Sequence, residues 1–193
     1  EAFRREITKM IDFTFFGIII FTIIFIINII NLIKNKKKFI VFVRNIIFAI
    51  YILLLIAVVF FPIPVQDKML EILKEENPGY KYNFIPFKSI IYILKSNDFY
   101  NSLIQIGGNL CLLIPLGIYV PLVWTKFKKI GLFLLLMFFT SFFIESIQFI
   151  LGILINYQYR VVDCDDIILN TIGSLFGFLI SLRISPLYKK IIE

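Results

Sequence analysis

The chain has no histidine among its 193 residues. That absence removes His-based triads, imidazole general bases and imidazole metal ligands. Cysteine is nearly absent as well, with only Cys111 and Cys164 present. The first falls well inside an apolar run, where we expect a small core residue. The second stands at a helix mouth, so no disulfide framework is expected. Charge is scarce too: Asp, Glu, Lys and Arg make up 17% of the residues.

What is present is apolar. Hydrophobic residues make up 60% of the chain and its mean hydropathy is +0.92. Soluble domains hold roughly half apolar residues. Several runs reach the roughly 20 residues needed to cross a bilayer core. The composition therefore predicts an all-α integral membrane protein. The Ile, Phe, Lys and Asn bias is that of an AT-rich genome, which points to a low-GC bacterium and its cytoplasmic membrane. The net charge of +7 reports topology in such a protein, and implies no nucleic-acid partner.

Five transmembrane helices are expected, over about 11–33, 46–61, 102–124, 130–152 and 166–182. The first is too long for a cleavable signal peptide and lacks a small-residue cleavage site. Pro62 and Pro64 stop the second. Pro115 is expected to kink the third by freeing the Cys111 carbonyl. Lys34, Lys36, Lys37, Lys38 and Arg44 form an acid-free first loop, and Lys126, Lys128 and Lys129 another. With Arg183, Lys189 and Lys190 in the tail, they alternate as cytoplasmic segments. The N-terminus is then outside and the C-terminus inside, and nearly every acid lies outside or near the outer face.

An amphipathic interfacial segment is expected between the second and third helices. Phe87, Ile90, Ile91 and Leu94 recur at helical spacing, with Lys88, Lys95 and Ser96 off that face. Met69, Ile72 and Leu73 suggest a shorter helix, ended by Asn77-Pro78-Gly79. Tyr157, Tyr159 and Trp124 fit interfacial belts.

Polar residues inside the spans are few, so each is informative. Ser102, Gln105 and Asn109 share one face of the third span. Ser141, Glu145, Gln148 and Gly152 share one face of the fourth. Asp166, Asn170, Gly173, Gly177 and Ser181 share one of the fifth. At 1.5 Å per residue, Asn109 and Glu145 lie about 10 Å below the outer surface and Asn170 roughly 6 Å. Stripes at one depth predict one polar pocket, open outward. Asp163 and Asp166 also fit a helix cap and first turn, with Asp165 between them solvated. Gly173-x-x-x-Gly177 fits close helix packing. A lone Glu145 at that depth must be protonated, paired or wetted. Arg160 is the arginine in the adjoining loop, so a Glu145–Arg160 pair is expected, with Asp163 and Asp166 holding the guanidinium from the other side.

Four stretches, taken in order, resemble the VanZ-like membrane protein family: NFIPF (83–87), NLCLLIPLG (109–117), ESIQ (145–148) and RVVDCDDIILNTIGSLFG (160–177). The resemblance divides the chain into an additional helix and basic loop (1–45), a four-helix domain (46–182) and a basic tail (183–193). It implies a multispan envelope protein whose namesake is associated with teicoplanin resistance. It also implies shared polar residues at Asn83, Asn109, Glu145, Gln148, Arg160, Asp163, Asp166 and Asn170.

Three functions fit. In the first, the pocket holds the polar part of an amphiphile, either a lipid-linked cell-wall precursor or the glycopeptide antibiotic itself. In the second, an enzyme acts on a lipid-linked substrate. Glu145, Asp163 and Asp166 would then supply acid and base, and Arg160 would stabilise a phosphate or oxyanion. Asn83, Asn109, Gln148 and Asn170 would bind substrate. In the third, the protein is a flippase, although the cytoplasmic halves of the spans look apolar apart from Ser181. Asp163-x-Asp165 has the spacing of an oxygen-ligand metal site, but a cap-and-dipole role accounts for it, so no metal or other cofactor is expected.

Overall fold

A computed structural model describes residues 10–34, 39–76, 82–96 and 98–192. Lys36, Lys37, Lys38 and the Asn77-Pro78-Gly79 turn lie outside the described residues. Five helical segments among those described are long and apolar enough to cross a membrane. In lipid, only helices and closed barrels satisfy their own backbone, so even Ile-rich runs of low helix propensity become helical.

Helix α1 spans Thr14–Lys34 and α2 spans Phe39–Phe60. Two short helices follow, α3 (Asp67–Glu76) and α4 (Lys88–Lys95). The third crossing is a broken pair, α5 (Phe99–Leu112) and α6 (Ile114–Val123). A 3-10 turn over Thr125–Lys128 leads into α7 (Ile130–Leu154), and α8 runs over Cys164–Ile192. The fold is thus all-α with five long apolar crossings.

Two miniature strand pairs tie the loops. Met10–Ile11 (β1) runs antiparallel to Ile63–Pro64 (β2). Tyr82–Asn83 (β3) runs parallel to Val162–Asp163 (β4), with Asn83 opposite Asp163. The second pairing fastens the loop before α4 to the mouth of α8.

Helix α8 is the centre. It packs on α5, α6 and α7, and glycines set the distance. A Cβ on Gly173 would sit 1.8 Å from the Leu110 carbonyl oxygen, and one on Gly177 2.2 Å from that of Ile114. Gly117 on α6 answers them: its Cβ would lie 2.2 Å from the Ser174 carbonyl oxygen. The glycine stripe is therefore a packing surface. Below the glycines, Val120, Phe133, Met137 and Phe178 form a buried cluster.

Several boundaries differ from expectation. Helix α2 starts well before residue 46 and draws Arg44 out of the loop. Its guanidinium donates to the Tyr188 hydroxyl and to Asn45 Oδ1, and Asn45 Nδ2 reaches Asn28 Oδ1 on α1 at 3.0 Å. The third crossing breaks at Leu113, two residues before Pro115, and the Tyr51 hydroxyl donates to the part-buried Leu112 carbonyl at 2.9 Å. Helix α8 continues far beyond residue 182 into the basic tail. Cys111 is exposed rather than a core residue, and both cysteines are free. On α4, Ile90 turns into a cavity while Phe87, Ile91 and Leu94 stay exposed.

Candidate functional site

The site begins with the end of α2. Pro62 halts the helix, which leaves its last carbonyls without intrahelical donors. Ala57 O is taken by the Phe61 amide. The others are taken by side chains from α7 and the loop behind it. Gln148 Nε2 donates to Val59 O at 3.0 Å, and the Tyr159 hydroxyl to Phe60 O at 2.7 Å. Arg160 Nη2 donates to Val58 O at 3.0 Å and to Phe61 O at 2.6 Å. A cation at a helix C-terminus is also favoured by the dipole. Burial raises the Tyr159 phenol above its ordinary value, with Arg160 partly opposing, so Tyr159 remains a hydroxyl donor at neutral pH.

The Glu145–Arg160 ion pair is therefore not formed. Arg160 is held by carbonyls, and Glu145 Oε2 accepts the Asp163 backbone amide at 3.1 Å. Nor do Asp163 and Asp166 clasp the guanidinium. Asp163 Oδ1 accepts from the Asp165 amide and from Asn83 Nδ2, each at 2.8 Å. The first of these bonds is the expected cap of α8. Asp166 accepts from Asn109 Nδ2 across the α5–α8 contact.

Asp165 overturns its solvated reading. It is 1% exposed, and its carboxylate accepts from the amides of Phe87, Ser89 and Ile90. Helix α4 has no cap of its own: Phe87 stands at its start with φ 65° and makes no side-chain cap bond. Asp165 supplies from α8 the anion that this helix start lacks. The sequence carried no signal for this partnership, which joins segments 75 or more residues apart. Gln158 was also unforeseen. Its amide bridges the Gln148 and Arg160 carbonyls, and Gly152 leaves it room.

Asn109, Glu145, Gln148, Arg160, Asp163, Asp166 and Asn170 all line one cavity of about 730 Å³. Asp165 joins them. Asn83 does not: it sits behind the wall, tying Asp163 to Ser89. Apolar lining comes from Val58 on α2, Ile93 on α4 and Ile104 and Leu112 on α5. Gln148 Oε1 and Asn170 Oδ1 on the cavity wall, and Gln158 Oε1 outside it, are buried without a hydrogen-bond partner.

The ligand atoms of Asp163, Cys164 and Asp165 lie within 4.8 Å of one another. Both oxygens of Asp165 and one of Asp163 already face N–H donors. A cation there would have to displace the contacts that fasten α4, so these residues do not fit a metal without rearrangement.

A family model described as VanZ/LLP1 matches residues 48–185, well over half of the chain. No curated protein and no solved structure matches it.

Proposed function

The chain belongs to the VanZ-like family, and from that membership and the cavity we propose that it binds the polar head of an outer-leaflet amphiphile, a lipid-linked cell-wall precursor being one such ligand. Through that binding it contributes to glycopeptide resistance of the teicoplanin type in a bacterial cytoplasmic membrane. The observation that carries the reading is one cavity whose wall joins carboxylates and amides of α5, α7 and α8 to apolar side chains of α2, α4 and α5. A polar head and the start of its chain need that combination. Its volume of about 730 Å³ is in the range of small-ligand sites, which suits a head group better than a whole glycopeptide.

Turnover is the second reading. Glu145 and Asp166 each accept a single hydrogen bond, which leaves carboxylate oxygens free for acid–base work on a lipid-linked substrate. Asp165, by contrast, is fully engaged in holding α4.

Gly108 supplies the test. It lines the cavity, and a Cβ built on it meets nothing within 4 Å. Gly108→Leu should fill the cavity without disturbing the helix, where Gly is unfavourable anyway. In a strain lacking the gene, the wild-type chain should restore resistance and be labelled by a photoreactive lipid. Gly108→Leu should express normally and lose both. Retention of both by the plugged variant overturns the binding reading.

A further inference from the structure

The cavity is lopsided in charge. Asp98, Glu145, Asp163, Asp165 and Asp166 line it against one basic residue, Arg160. Arg160 is spent on the Val58 and Phe61 carbonyls rather than on any of these acids. Asp165 is answered by three amides. Glu145 and Asp166 are answered by one donor each, on facing helices α7 and α8.

A second observation is independent of the acids. Gln148 is 8% exposed and Asn170 1%, and both end in a buried oxygen without a donor. The orientation of Gln148 is forced: its Nε2 faces the Val59 carbonyl, which can only accept. Its Oε1 must therefore point elsewhere, and the residue lines the cavity. Asn170 Nδ2 meets Ser141 Oγ at 2.9 Å. Buried acceptors without donors are costly and uncommon.

Glu145 and Gln148 are three residues apart on α7, and Asp166 and Asn170 four apart on α8. Each pair shares one helical face. Two helices thus bring two carboxylates and two amide side chains to the wall of one cavity. A neutral polyol would supply donors but no charge opposite Glu145 and Asp166. An ammonium group supplies both donors and charge. Arg160 uses Nη2 on the two carbonyls, so its Nε and Nη1 donors, which point apart, can each meet an anion singly.

We propose that the cavity takes a primary ammonium joined to a phosphate, the head group of an aminophospholipid, with the ammonium among Glu145, Gln148, Asp166 and Asn170 and the phosphate at Arg160. This rests on the preceding reading that the cavity holds an amphiphile's head.

The test uses the full chain purified into nanodiscs and three lipids of matched acyl chains. Phosphatidylethanolamine has the ammonium donors. Phosphatidylcholine has the same charges and no N–H. Phosphatidylglycerol has hydroxyls and no cation. Retention is read by native mass spectrometry and by thermal shift. Phosphatidylethanolamine should be held about tenfold more tightly than either of the others, and Glu145→Gln should reduce that preference to about twofold or less. If Glu145→Gln does not fold, the wild-type ratio alone decides. Equal retention of all three lipids, with all three released by Gly108→Leu, overturns this inference and leaves the amphiphile reading standing. Lipid retention untouched by Gly108→Leu overturns both. Stabilisation by magnesium or calcium chloride alone, with no preference among lipids, assigns the acceptors to a metal and also overturns the inference.

Discussion

Among single residues, Arg160 satisfies carbonyls at a helix end rather than an acid. The short loop does return Arg160 to the cavity that Glu145 lines. A sequence displays side-chain charges but not the carbonyls that a broken helix strands. Those carbonyls, at the end of α2, claim the guanidinium instead. Asp165 fails for the same reason, since its partners are backbone amides of a distant helix start. Asp163 as a cap was legible, because capping is local. A double-mutant cycle with Glu145→Gln and Arg160→Gln follows from the geometry. Arg160→Gln removes charged hydrogen bonds to two carbonyls and should cost about 1.5–3 kcal/mol or more of stability. The coupling energy in thermal stability should stay within about 0.5 kcal/mol, because the two residues share no partner. A coupling well above that would restore the direct pair.

The helices themselves were legible from hydropathy, and the meeting of three polar stripes followed from depth along them. Their ends were not, because ends depend on capping partners. Helix α2 reaches back over Arg44, whose guanidinium finds acceptors in Tyr188 and Asn45. The glycine stripe of α8 was read as packing, and the distances now give it a hierarchy. Gly173→Ala would place a methyl 1.8 Å from the Leu110 carbonyl oxygen, whereas a Cβ on Gly131 meets nothing within 4 Å. Backbone cannot yield as a flexible side chain can, so α8 must move off α5 and drag Asp166 from Asn109. Gly173→Ala should therefore lower the melting temperature in detergent and weaken lipid retention together. Gly131→Ala, as the control, should change stability by less than about 1 kcal/mol. Equal behaviour of the two variants would remove the close-packing account.

At the scale of the molecule, the contacts sort into two ends. Lys128 Nζ donates to Ser185 Oγ at 2.6 Å, and Arg44 to the Tyr188 hydroxyl, which joins the turn before α7 and the first half of α2 to the last turns of α8. At the other end, Tyr159 and Arg160 cap α2 and Tyr157 reaches the Leu73 carbonyl on α3. Packing fixes which loops share an end but is indifferent to which end faces out. For the direction we propose the one the charge bias favours, with the basic short loops on the cytoplasmic side. On that proposed orientation the cavity would open toward the outer leaflet, with the N-terminus outside and the C-terminus inside. The assignment is testable after Cys111→Ala and Cys164→Ser remove the native thiols. A cysteine at Glu71, exposed on α3, should react with a membrane-impermeant maleimide on intact cells. One at Lys128 should react only after permeabilisation. The reverse pattern would turn the cavity to the cytoplasm. A head group would then be drawn from the inner leaflet, and a direct encounter with an extracellular glycopeptide or an externalised precursor would be physically excluded.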